Sequence, residues 1–242
     1  MQSQVDPGPV PPFLDRTRLV GTYSILNAYK NCAHQMARRY VIKDQPFVET
    51  PEMAWGNKVH SAMELRVGAK KPLPVDMQQW EQFCTPFDRV YDTDKSAIAV
   101  ELKLGVTWNM RPCDFWDKEV WFRGKIDVTL VNHRTGEMSA YIADWKTGGS
   151  KYEDPFELAT NAVLLKAKYS GLTRICGSYI WLKENRVGEL HDLSDVTKTW
   201  AKMKQLMNEI EEKKKSGVWD KTKSGLCSWC SVSDCEHWRE RK

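Results

Sequence analysis

No run of apolar residues approaches the length of a membrane span. The first residues, MQSQVDPGPVPP, hold Pro and Asp where a secretory leader needs a charged and then an apolar segment. A soluble cytoplasmic protein is the expectation, with no membrane partner. Charge of one sign is also lacking, since 36 Lys and Arg face 32 Asp and Glu for a formal +4 in 242 residues. A polyanionic partner would therefore be met by local basic clusters and not by the whole surface. No internal repeat is evident, which excludes a repeat architecture. No recognition-helix motif appears, which argues against base-specific reading of nucleic acid. Cysteines number seven, and in an intracellular chain they fit thiols or metal ligands better than a disulfide framework.

What is present points to a packed globule. The length suffices for one substantial core, and eleven Trp within 11% aromatic residues argue against disorder. Residues 1–18, with PGPVPP, read as an extended tail, and 19–242 as one domain. Ser24 is a candidate cap for a first helix in which Ile25, Tyr29, Cys32 and Met36 recur at helical spacing. A second helix, ETPEMAWGNKVHSAMELRVG, puts Gly56, His60 and Glu64 on one face beside a stripe of Trp55, Val59, Met63 and Val67. Gly56 weakens that helix, which suggests that something approaches it closely. After KKPLP, a stretch with Trp80, Phe83 and Phe87 reads as helix as far as Pro86. AIAVELKLGVTWN alternates as a strand, with Ile98, Val100, Leu102, Leu104 and Val106 on one face and Glu101 and Lys103 on the other.

The centre of the chain is Trp121–Gly148, two alternating runs about an Asn-His-Arg-Thr-Gly turn, hence a β-hairpin. Asp144 and Lys146 share a face. Asp127 falls with Arg123 and Lys125, opposite Val120, Phe122, Ile126, Val128 and Leu130. Two acids and a lysine gathered there can hold a divalent metal and stabilise charge beside it. PFELATNAVLLKAKYSG reads as a helix, ICGSYIWLKE as a strand, and SDVTKTWAKMKQLMNEIEEKKKSG as an amphipathic helix burying Val196, Trp200, Met203, Met207 and Ile210. The order implies an α/β (α+β) fold with a sheet flanked by helices. LCSWCSVSDCEHW carries Cys227-x2-Cys230-x4-Cys235, a spacing that binds metal far more often than it packs passively.

Gly56-x3-His60-x3-Glu64, Gly124-Lys-Ile-Asp127 and Asp144-Trp-Lys146-Thr-Gly together resemble the PD-(D/E)XK nuclease superfamily. The likeness is to its RecB-type, lambda-exonuclease-like branch, and residues 22–41 resemble the N-terminal helix of the iron-sulfur members, such as the AddB nuclease and the CRISPR adaptation nucleases. The resemblance implies a restriction-endonuclease-like mixed sheet and a metal-dependent DNA nuclease. Asp127, Asp144, the Trp145 carbonyl and His60 would bind Mg²⁺ or Mn²⁺, and Lys146 would polarise water or offset phosphate charge. Glu64 and Glu101 are auxiliary candidates. The family's Gln-x3-Tyr helix is represented here by Glu157 and Asn161, or in another register by Asn161 and Leu165. The family pairing of one N-terminal Cys with three C-terminal ones implies that Cys32 joins Cys227, Cys230 and Cys235 on a [4Fe-4S] cluster tying the chain ends together. Zinc held by four thiolates, or with His237 in place of Cys32, is the alternative.

DNA contact is expected from Arg123, Lys125, Lys151, Lys166 and Lys168, with Trp145 or Tyr152 available for stacking on unpaired bases. The activity implied is that of an exonuclease on DNA ends or single strands in recombination, repair or replication, with a recombination or annealing protein as partner. A structure-specific endonuclease, or a catalytically weakened DNA-binding subunit, stays open, as does the oligomeric state. Small free-standing proteins of this make often belong to phages or mobile elements, for which the location would be the host cytoplasm.

Overall fold

The computed structural model describes residues 18–45, 48–133 and 137–240, with the backbone but not the side chain of Tyr152. Apart from Arg18, the expected extended tail lies outside the described residues. In chain order the elements are α1 (Tyr23–Asn31), α2 (Ala33–Ala37), α3 (Pro51–Ala69), α4 (Glu81–Asp94), β1 (Ile98–Val106), β2 (Pro112–Cys113), β3 (Phe122–Asn132) and β4 (Met138–Lys146). They continue as α5 (Phe156–Lys168), β5 (Leu172–Trp181), β6 (Arg186–Val187), β7 (His191–Asp192) and α6 (Val196–Ser216). The strands form one mixed sheet in the order β2-β1-β3-β4-β5-β6, with β7 also on β5. β3 and β4 are the expected hairpin, in antiparallel register from Val128↔Ala143 to Asn132↔Ser139. α5 carries the chain from β4 to the parallel strand β5. The architecture is the expected helix-flanked mixed sheet. Among the described residues no helix is long and apolar enough to cross a membrane.

Local boundaries differ from the sequence reading in ways that have physical causes. Thr22, not Ser24, caps α1, its hydroxyl accepting from Ile25 N. The first helix does not run on through Cys32, which adopts an extended backbone (φ −164°) between α1 and α2. α4 continues through Pro86 to Asp94. The carbonyl that loses a donor to Pro86 belongs to Gln82, which is exposed, so water can satisfy it. In α3, Val59, Met63 and Val67 are buried as expected, but Trp55 is 38% exposed at the outer end of the stripe.

The apolar residues of β1 and β3 do not share one face. Leu102, Leu104, Val106, Phe122 and Ile126 pack toward the core formed with α1, α5 and α6. Ile98, Val100, Val128 and Leu130 pack instead with Val59, Met63 and Val67 of α3 and with Phe83 and Phe87 of α4. The alternation thus changes phase at the facing pair Glu101 and Asp127, where Glu101 takes a left-handed backbone (φ 50°). A non-glycine residue is strained there, which marks the position as functionally interesting.

The sheet also forks at this level. β3 and β4 stop pairing at Val128↔Ala143, while β4 stays on β5 through Lys146↔Trp181. On the freed edge of β3, Gly21 donates to Trp121 O (2.9 Å) and accepts from Arg123 N (3.0 Å), so the chain leading into α1 fills the far end of the gap. Gly124 faces α5, where a Cβ would come within 2.7 Å of Leu164 Cδ1 and 3.2 Å of Asn161 Oδ1. Glycine there lets α5 lie close to the fork.

Beside this frame, Arg66 on α3 makes a bidentate pair with Asp88 (2.8 Å twice) and donates to Glu81 (2.6 Å) while only 7% exposed. Arg66→Met is expected to lower unfolding free energy by about 2 kcal/mol, less than a fully buried pair because both acids keep contact with water. Urea denaturation of the two proteins checks it.

Candidate active site

Three side chains meet at the fork. His60, one residue past Val59 on α3, sets Nδ1 3.2 Å from Asp127 Oδ1. Glu101 comes in from β1 on the left-handed turn of its backbone. The ligand atoms of His60, Glu101 and Asp127 all lie within 4.8 Å of one another. Burial works against a charged His60 ring, but the bonded Asp127 and the charges of Asp144 and Glu101 outweigh it and raise its pKa. Glu64, one turn beyond His60, is half-buried and does not belong to this group. Gly56 meets only the Thr147 hydroxyl, 3.5 Å from where a Cβ would stand, so among the described residues nothing demands a glycine there.

A second group lies across the fork. Lys146 Nζ is 2.6 Å from Asp144 Oδ2 and 2.7 Å from Glu157 Oε2 on the first turn of α5, and sits 5.1 Å from the centre of the Tyr179 ring. Burial tends to strip the Lys146 charge, but two flanking carboxylates hold its pKa above the ordinary lysine value. Asp144 is 5% exposed. Burial holds its carboxyl well above the usual carboxylate range; Lys146 opposes this and Asp127 and Glu157 add to it. Its buried Oδ2 is the oxygen that meets the Lys146 ammonium. A buried carboxylate crowded by other acids is a group whose charge a bound cation would offset.

Trp145 joins the two groups. Its N–H, freed from the ladder by the fork, donates to Asp127 Oδ2 at 2.8 Å, and its neighbour Asp144 points to Lys146. The contact with Asp127 is thus made by the N–H. Its ring is 1% exposed and packs edge-on to Phe87, with centroids 6.1 Å apart, so it cannot stack on a base. The Tyr152 side chain lies outside the described residues. Asn161 is buried over Gly124.

The expected basic contacts are dispersed. Lys166 donates to the carbonyls of Ser170 and Leu172, stapling the end of α5. Lys166 and Lys168 lie nine and eleven residues past Glu157, about 14 and 16 Å along the helix, and so stand away from the fork. Lys125 pairs with Glu101. Arg123 stacks on Phe115 and Trp116. Lys151 is exposed on the short turn after β4. Residues that sequence reading passed over include Tyr179 beneath Lys146 and Tyr23, whose hydroxyl feels the charges of Glu157 and Asp144. Neither carries a signal in sequence beyond an ordinary core aromatic.

Cys32, Cys227, Cys230 and Cys235 line one cavity of about 470 Å³ that reaches Tyr23 and Glu157. The chain ends are tied around it. Thr222 N donates to Cys32 Sγ (3.5 Å), Ser224 N to Cys227 Sγ (3.4 Å) and His34 N to Asp220 O (3.0 Å), while Arg38 pairs with Asp234 (3.0 Å). Burial, with the other three cysteines as charged neighbours, pushes the Cys230 thiol up. All four thiols are free, as are Cys84, Cys113 and Cys176.

A forked mixed sheet with buried acids, a lysine and an imidazole converging at the split defines the restriction-endonuclease-like class of nucleases. The sequence matches the PD-(D/E)XK nuclease superfamily over residues 22–235, and the chain belongs to that superfamily. Among solved structures, a protein of Eubacterium rectale provisionally named an exonuclease is similar at 13% identity and a TM-score of 0.51. The match covers 96% of this chain and 92% of that one, and speaks for the fold. SSO0001 matches at 11% identity over 87% of this chain and 84% of that one, with a TM-score of 0.37. No curated protein matches the chain.

Proposed function

We propose that the protein is a divalent-metal-dependent deoxyribonuclease acting as an exonuclease on DNA ends or single strands in recombination, repair or replication. The observation that carries this reading is the forked site, where the buried Asp144 carboxylate, paired with the Lys146 ammonium, lies across from the gathered His60, Glu101 and Asp127. Carboxylate oxygens suit Mg²⁺ or Mn²⁺, and one imidazole favours Mn²⁺. A bound ion would supply a water of lowered pKa and neutralise phosphate charge. Asp127, Asp144, Glu101 and His60 would hold it. Lys146, kept charged between Asp144 and Glu157, presents an ammonium to the attacking water or to the charge that grows on the scissile phosphate. The buried wall of Trp145 and Phe87 keeps the acids in place.

The C-terminal cysteines extend the reading to a [4Fe-4S] cluster on Cys32, Cys227, Cys230 and Cys235, within a nuclease domain spanning 19–242. Backbone N–H groups aimed at Cys32 and Cys227 sulfur support thiolate ligation. Among the described residues, no three of the four sulfurs fall within 4.8 Å of one another. Tetrahedral zinc, with Zn–S near 2.3 Å, would bring them to within about 4 Å.

Product analysis on end-labelled linear DNA and on covalently closed circles, with Mn²⁺, Mg²⁺ or EDTA, tests the activity. Short products from linear DNA in Mn²⁺, none in EDTA and intact circles are expected. Nicked circles at equal rate would make it an endonuclease, and no cleavage with either metal would overturn the reading.

A further inference from the structure

The connection between β1 and β3, residues 107–121, is longer than a hairpin needs. It folds back over the sheet face carrying Gly105 and Arg123, which are register partners. A Cβ on Gly105 would stand 2.9 Å from Asp114 O and 3.2 Å from Cys113 O, so the loop backbone lies directly on the strand. At its tip, the Arg123 guanidinium sits 4.2 Å from the Trp116 ring centre and 4.8 Å from that of Phe115, and Arg123 Nη1 donates to Phe115 O at 3.2 Å. The two rings meet edge to face at 5.0 Å. Trp116 is nevertheless 74% exposed. An indole this open, yet held by a cation and a second ring, is a prepared flat surface and not a loose side chain.

Asp114, Asp117 and Glu119 flank the indole within its own loop, so attraction for a polyanion comes from the strands beside it. Lys103 and Lys125 are register partners on the same face and both are exposed, Lys125 also pairing with Glu101. Arg123, Lys125 and Asp127 alternate along β3, so from Trp116 a basic strip leads to the metal-ligand group. The distance from Arg123 to Asp127 is four residues, about 13 Å. An indole face can stack only on a base whose own face is open, and unpaired strands offer such faces along their length where a duplex offers them only at its ends.

We propose that Trp116, backed by Arg123 and Phe115, is a base-stacking platform that binds single-stranded DNA and leads it along Lys103 and Lys125 to the fork. The path into the fork rests on the nuclease reading above; the platform itself can be tested without cleavage.

The experiment is fluorescence anisotropy of a labelled oligothymidylate and of a labelled blunt hairpin duplex in EDTA. It compares the full-length parent with Trp116→Ala, Trp116→Tyr and Lys103→Ala. Trp116→Ala should weaken single-strand binding about 10-fold and duplex binding less than about 2-fold, and Trp116→Tyr should recover to within about 3-fold. Lys103→Ala should weaken both substrates alike and flatten the salt dependence. Trp116 is exposed, so its variants should melt with the parent. Unchanged single-strand affinity in Trp116→Ala, or equal losses on both substrates, would overturn the platform, and an unchanged affinity would leave the patch to a protein partner. Trp116-dependent binding without any cleavage in Mn²⁺ would instead fail the nuclease reading and leave the platform standing.

Discussion

Asp144→Asn should reduce DNA cleavage by about 10³-fold or more while leaving the fold as stable as before, or more so. The loss follows from removing a carboxylate that would bind the ion directly, since several kcal/mol of charge stabilisation correspond to about three decades. The gain follows from the metal-free energetics. Asp144 is buried, faces the charges of Asp127 and Glu157, and has its pKa raised. A carboxyl whose pKa is raised on folding binds its proton more tightly in the folded state. Stability therefore falls as pH rises above the unfolded value near 4, and the cost is present at neutral pH. Asparagine carries no such cost, and Lys146 still has Glu157 at 2.7 Å. Urea titrations in EDTA should show the Asn variant ahead at pH 7 and its advantage shrinking as pH falls toward 4. A marked loss of stability at pH 7 would mean that the Asp144–Lys146 pair is a net support and not a strained site.

The second large effect concerns the cysteines. Cys230→Ser should turn a brown protein absorbing near 400 nm into a colourless one and lower its urea midpoint sharply. The cavity joins residues about 190 positions apart, as between Cys32 and Thr222. Closing so long a loop restricts the unfolded chain by about 3–5 kcal/mol. Loss of the proposed cluster should free the segment carrying Trp229 and Trp238 from α1 and α2. Anaerobic purification with iron and sulfide assays checks this, and a colourless parent containing one zinc would contradict the cluster.

The sequence made the hairpin legible because its two runs alternate and its turn residues are conventional, and Asp127, Asp144 and Lys146 could be placed on it by counting. What counting could not supply was the phase change. A left-handed residue at Glu101 reverses which side the following side chains face, so one apparent apolar stripe became two cores, and Glu101 moved from an auxiliary acid to a partner of Asp127. No pattern in AIAVELKLGV announces that, since every residue in it is compatible with a regular strand. Lys166 illustrates a different limit. Its charge reads as a phosphate contact, but two carbonyls beyond the end of α5 claim it. Trp145 sits next to two site residues in sequence, yet strand geometry sends its ring into the opposite core. Cys32 was legible as a partner of the distant cysteines only through family likeness, and the helix break that exposes it was not.

The most direct test is the anomalous scattering of crystals grown with Mn²⁺. A peak is expected at the fork in contact with Asp127 and with Asp144, with His60 or Glu101 completing the shell. A fork in which Asp144 stays closed on Lys146 while Mn²⁺ binds elsewhere, or not at all, would contradict it.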